Sequence, residues 1–137
     1  MFLKFNSIMP ELEKLTINLS PVDLGQIELL VEQGFYANRA EFIRTAIHDQ
    51  LGRHSEVVRE TVTRQQFVIG ALMHDRSSLQ RAKDGGQRLS LRVVGLLVIA
   101  EDVTPALAAD AIELVSVHGV FKASPAVKAA LGARIKQ

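Results

Sequence analysis

The chain has no cysteine and no tryptophan, and Tyr36 is its single tyrosine. The first absence excludes a disulfide scaffold, a thiolate metal site and a cysteine nucleophile, and it fits a reducing compartment, so the expected location is cytoplasmic. The second leaves too few rings for a stacking platform that would hold single-stranded nucleic acid. No long hydrophobic run exists: the longest, Val93 to Ala100, falls far short of the roughly 20 residues that span a bilayer. The opening Met1–Pro10 carries Lys4, Asn6 and Ser7 without a long apolar core, so no signal peptide is expected. No charge of one sign dominates either, since the net formal charge is +1. That near-balance hides an uneven spread. Residues 1–51 hold Lys4, Lys14, Arg39 and Arg44 against seven acids, residues 52–92 hold eight bases against four acids, and residues 93–137 hold four of each.

What remains is the balance of a folded protein. At 137 residues, with 47% apolar and 23% charged, the chain makes one ordinary domain or two very small ones. Lys14-Leu15-Thr16-Ile17-Asn18-Leu19 alternates polar and apolar residues, the period of a strand. Ser20 is a good helix N-cap, Pro21 suits the first helical position, and Asp23 lies three residues after the cap. Leu19 and Leu24 occupy the positions of a hydrophobic staple. Leu24, Ile27, Leu30 and Val31 recur at helical spacing, so the first helix is expected over about 21–33, closed by Gly34. Asn38 and Glu41 have the spacing of a capping box for a second helix. Phe42, Ile43, Ala46, Ile47 and Leu51 form its apolar stripe, and Gly52 marks its end unless the helix continues through Val57 and Val58.

A lone six-residue strand is not stable in water. Pairing with the same strand of a second chain repairs this, and two-fold symmetry makes the pair antiparallel. Leu15, Ile17 and Leu19 are then buried with Phe42, Ile43 and Ile47 as the dimer core. Lys14, Thr16 and Asn18 line the outer face. A two-stranded ribbon fits the major groove of B-DNA, where Asn pairs with adenine, Lys with guanine, and Thr donates, accepts or touches a thymine methyl.

Residues 14–51 therefore resemble the ribbon-helix-helix family, the MetJ/Arc/CopG type of dimeric DNA-binding domain. The likeness rests on the strand Leu15–Leu19, the cap Ser20-Pro21, and the stretch Gly34-Phe35-Tyr36-Ala37-Asn38-Arg39-Ala40-Glu41-Phe42-Ile43-Arg44. The resemblance implies that the start of the second helix anchors a DNA phosphate, with Asn38 and Arg39 at the matching positions. Free N–H groups and the positive end of the helix dipole suit that role. Ala40 stands where many members carry a hydroxyl, which removes one phosphate contact.

The rest of the chain reads as three apolar strands (66–73, 89–100 and 112–123) separated by short helices at 77–83 and from Thr104-Pro105. A last helix runs from Ser124-Pro125 to about Ile135. Val93, Gly95, Val103, Ala106 and Leu107 repeat 24 residues later as Val117, Gly119, Val127, Ala130 and Leu131. Such a repeat suits paired strand–helix units or two turns of a β-solenoid, and its mid-strand glycines suit close backbone approach or a bulge. The expected fold class is α+β: a ribbon-helix-helix with a swapped antiparallel dimer ribbon, plus a small C-terminal α/β or repeat-like strand-rich domain. The expected domains are 1–52 for DNA binding and dimerisation, 53–65 as linker or helix extension, and 66–137 for oligomerisation or regulation.

No enzyme motif is present, so no catalytic residue is assigned. His48, His54, His74 and His118 stand apart from one another, and the adjacent Glu101 and Asp102 suit a solvated strand end better than an acid/base pair. Gly85-Gly86 lacks the following Lys-Ser/Thr of a phosphate loop. The overall plan resembles the nickel-responsive repressors, but the missing cysteine and the isolated His74 and His118 depart from their metal site; no metal and no cofactor are expected. The expected function is a sequence-specific DNA-binding transcriptional regulator, a repressor, that is not an enzyme. Its expected partners are double-stranded DNA and itself, as a homodimer or larger even oligomer, with no membrane partner. A protein or a small ligand at the C-terminal domain is left open. Two alternatives stand beside it: an antitoxin that binds a toxin through its C-terminal part, and a structural protein that uses the N-terminal part only to dimerise.

Overall fold

The computed structural model describes residues 12–137. Residues 1–11, which include the segment read for a signal peptide, lie outside the described residues. The described chain divides into two compact units, residues 12–61 and 62–137. It combines helices with one sheet, an α+β composition.

In the first unit, residues 12–20 are exposed and form no strand within the single chain. Helix α1 spans Pro21–Glu32. Ser20 caps it, its hydroxyl accepting from the Asp23 amide at 3.1 Å. The helix closes where the Gly34 amide donates to the Val31 carbonyl and the Phe35 amide to that of Leu30, at 3.1 and 3.0 Å. That pair of bonds needs a left-handed residue, and Gly34 supplies it at φ +85°. Helix α2 spans Arg39–Arg53 behind the N-cap Asn38. It ends at His54, and α3 then covers Ser55–Gln65. The stretch expected to be either a linker or an extension is thus a separate helix. Tyr36 and Phe42 meet edge to face, their ring centres 5.0 Å apart.

The second unit is a parallel sheet under a layer of helices. Gln66 takes φ +58° and ends the helical run, and β1 follows at Val68–His74. Then come α4 (Arg76–Asp84), β2 (Leu89–Ile99), α5 (Pro105–Ala111), β3 (Ile112–Lys122), α6 (Pro125–Leu131) and the two-residue β4 (Ile135–Lys136). The strands lie in the order β1-β2-β3-β4, all parallel. Each crossover carries a helix, as parallel neighbours require. Thr104 and Ser124 cap α5 and α6, accepting from the Leu107 and Val127 amides at 3.2 Å each. The final helix stops at Leu131, short of the expected end near Ile135, because Gly132 turns the backbone to φ +53°.

One face of the sheet makes the core. Val93 and Leu97 of β2 and Val115 of β3 are sealed with Leu79 of α4, Ala108 of α5 and Val127 of α6. Residues of the other parity, such as Ile69, Val94, Leu96 and Val120, point to the opposite face. There Phe67 reaches His118, ring centres 5.2 Å apart. The repeat takes the strand–helix form. Val93 pairs with Val117, and Gly95 with Gly119. The repeat reaches β1 as well, where Val68 pairs with Val93 and Gly70 with Gly95.

The three glycines form a column across the sheet, at φ +129°, +136° and +127°. A Cβ on Gly95 would overlap the Gly70 carbonyl oxygen, and one on Gly119 would overlap that of Gly95. Only glycine fits either condition. Gly95→Ala is therefore expected to destabilise the C-terminal unit by about 1–3 kcal/mol from backbone strain, with the overlap adding to it. Chemical denaturation checks this, and an unchanged midpoint would mean that the strands stand further apart at this column.

Candidate nucleic-acid interface

The residues expected to read bases and to touch phosphate all lie in the first unit. Lys14, Thr16 and Asn18 are exposed, as are Leu15, Ile17 and Leu19 on the alternate positions. The apolar three are 79%, 52% and 41% exposed. Phe42 and Ile43 are half-buried, and Ile47 is exposed. Ile27 is the one buried residue described in this unit.

The start of α2 is the better-defined part. The Asn38 side-chain oxygen accepts from the Glu41 amide at 2.8 Å, while the Glu41 carboxylate accepts from the Ala37 amide at 2.6 Å. The box thus closes one residue ahead of the expected Asn38 amide. It consumes the amide of the third helical residue and leaves those of Arg39 and Ala40 for an outside acceptor. A shallow recess of about 330 Å³ lies here, lined by Glu28, Val31, Ala37, Asn38 and Arg39. The Arg39 guanidinium sits 3.4 Å from the Glu28 carboxylate, both side chains more than half exposed. This pair links α1 to α2 and was missed in the sequence, because it spans eleven residues with no local pattern to announce it. An exposed pair of this kind contributes about 1 kcal/mol at most, so an incoming phosphate can displace Glu28 at small cost.

A family model described as the ribbon-helix-helix transcriptional regulator family matches residues 10–128. The chain belongs to that family. The match covers the helical pair of the ribbon-helix-helix and nearly all of the C-terminal sheet, so the sheet is part of the family pattern and not an unrelated appendage. No curated protein and no solved structure matches the chain.

Among the described residues no group of three or more His, Cys, Asp or Glu could hold a metal ion, and no helix is long and apolar enough to cross a membrane. Glu101 and Asp102 are exposed at the turn after β2. Asp102 is more than a solvated strand end, since its carboxylate accepts from the Arg76 amide at 3.1 Å and so ties that turn to the start of α4. An open recess of about 960 Å³ adjoins both, with Met73, Val98, Lys122 and Pro125 on its walls.

His74 departs from its isolated appearance in the sequence. It ends β1, half-buried, with Nδ1 3.0 Å from the Ser78 hydroxyl. Burial holds its pKa below the ordinary 6.5, against an opposing pull from Asp75. On acidification the unfolded chain therefore takes up this proton first. Stability is complete above pH 6.5, falls as the pH drops through that value, and levels off below the lowered pKa. The melting temperature is expected to fall between about pH 7.5 and about pH 5.5, and His74→Gln should shrink that fall. An identical fall in the variant would mean that other groups carry it.

Proposed function

We propose that this ribbon-helix-helix protein is a homodimeric, sequence-specific transcriptional repressor that reads the major groove with an antiparallel ribbon of residues 14–19 from two chains. The observation that carries this reading is the poverty of the N-terminal unit. Its 50 described residues bury Ile27 alone, while Leu15, Ile17, Leu19 and Ile47 stand exposed. A segment of this size with one buried side chain lacks the apolar burial that offsets chain entropy. A second copy supplies it: the ribbon covers Leu15, Ile17 and Leu19, with Phe42, Ile43 and Ile47 closing beneath. The same pairing turns Lys14, Thr16 and Asn18 outward as base readers.

Asn38 and Arg39 serve the phosphate backbone. The Arg39 and Ala40 amides at the dipole end of α2 give a fixed anion site, and Arg39 exchanges Glu28 for phosphate. Such contacts position the protein without specifying sequence. The acidic balance of residues 1–51 suits this division of labour, because general attraction to DNA is weak and base contacts must supply the selectivity. Residues 66–137, which hold the sheet and its crossover helices, are assigned to oligomerisation or regulation. Its ordered sheet speaks against the antitoxin alternative, whose toxin-binding tail would fold only on its partner.

Selection of bound sequences from random duplex DNA tests the reading, with a single enriched motif expected and flat enrichment overturning it. On the selected sequence, Thr16→Ala and Asn18→Ala should each weaken binding by about 1–3 kcal/mol without unfolding the chain. Unchanged electrophoretic shifts would remove them as readers. Arg39→Ala should weaken selected and random DNA by similar factors and lower the salt slope by about one. A loss confined to the selected sequence would make Arg39 a base reader, and an unchanged slope would leave it as the partner of Glu28 alone.

A further inference from the structure

The two edges of the C-terminal sheet differ. At one edge β4 has two residues and ends in Lys136, a short charged edge of the kind that blocks further pairing. At the other, β1 runs for seven residues, Val-Ile-Gly-Ala-Leu-Met-His. It has no proline and no lysine, arginine or acid. Its outward backbone groups have no strand partner among the described residues, and Ile69 is 60% exposed. A long, uncharged edge is a template for another strand.

The glycine column continues into this edge. At Gly95 and Gly119 the inverted backbone makes room for the carbonyl of the preceding strand. Gly70 takes the same conformation at φ +129°, yet nothing described lies within 4 Å of the position its Cβ would occupy. Gly70 thus carries the column to the sheet edge, where no described residue fills the place beside it. We infer that the β1 edge pairs with β1 of a second copy, antiparallel about a two-fold axis, joining two four-stranded sheets into one. The occupant is a second copy for two reasons. An uncharged strand meeting its own copy brings no like charges together, and a two-fold axis sets a strand against itself only in the antiparallel sense. The inference also rests on the dimer proposed above: each such dimer carries two β1 edges, tethered through α3, so they meet at the high effective concentration of an intramolecular contact.

The absence of cysteine makes the test clean. Single cysteines are placed in the full-length chain at Val68, Ile69, Ala71 and Leu72, with Ala129 on the exposed side of α6 as the control, and each variant is oxidised at high dilution. A disulfide needs Cα atoms within about 7 Å, and in an antiparallel pair only residues beside the axis face their own copies that closely. The expected result is conversion of most of the chain to covalent dimer at one or two neighbouring β1 positions, with none at Ala129. DNA shifts of the same reduced variants separate the two claims. No cross-link above the control, in chains that still shift the selected DNA, overturns the β1 pairing and leaves the ribbon standing. Loss of both overturns both. Equal cross-linking at all β1 positions overturns the antiparallel register.

Discussion

A chain can hold a strand only if something pairs with it, and residues 14–19 have no partner of their own. Everything proposed for the N-terminal unit depends on that constraint. The helices α1 and α2 are well made locally, with Ser20 and Asn38 as caps and Gly34 as a closing turn. Local order does not supply a core, and Ile27 is the one buried residue described there. The apolar residues that would complete the core lie on the alternate positions of the unpaired segment and along the exposed stripe of α2. The sheet unit is the opposite case. The fifteen buried residues described in its core close within one chain, with Leu79 from α4, Leu107, Ala108 and Ala111 from α5, and Val127 and Leu131 from α6.

That contrast assigns the two halves different relations to a partner. In the proposed dimer the N-terminal half uses a second copy to fold and presents its polar strand face as a consequence. The C-terminal half closes its core within one chain, so the inferred pairing through β1 would join units that are already folded. The electrostatics follow the same division. Basic residues are sparse in residues 1–51, and Arg39, the cation at the start of α2, sits 3.4 Å from the Glu28 carboxylate. On the proposed reading, affinity for DNA relies on fixed geometry, with a helix end aimed at phosphate and a short row of side chains aimed at bases.

Most of this was legible in the chain because it was local. Ser20-Pro21, Asn38 with Glu41, Thr104-Pro105 and Ser124-Pro125 each announced a helix start, and each hydroxyl or amide cap is bonded as its spacing implied. The repeat of 24 residues showed as Gly95 over Gly119, and the expectation of close backbone approach at those glycines was met. What escaped was set at a distance. Gly70 joins the column at an offset of 25, and only Val68 beside it shares the pattern. Gly52 marked the end of α2 to within a residue, since the helix stops at Arg53, but the helix from Ser55 was left between linker and extension. The Arg39–Glu28 pair, the bond from Asp102 to Arg76 and the burial of His74 arise from the packing of elements, which no spacing within one element encodes.

The central claim is that the N-terminal unit completes its core only with a second copy. Sedimentation equilibrium of the full-length chain at micromolar concentration tests it most directly. The account predicts a dimer, or a larger even oligomer, with no species of monomer mass, 15.1 kDa, whose N-terminal unit is folded. A folded monomer would contradict it, leaving residues 14–19 without a strand partner and the groove-reading face without a ribbon to carry it.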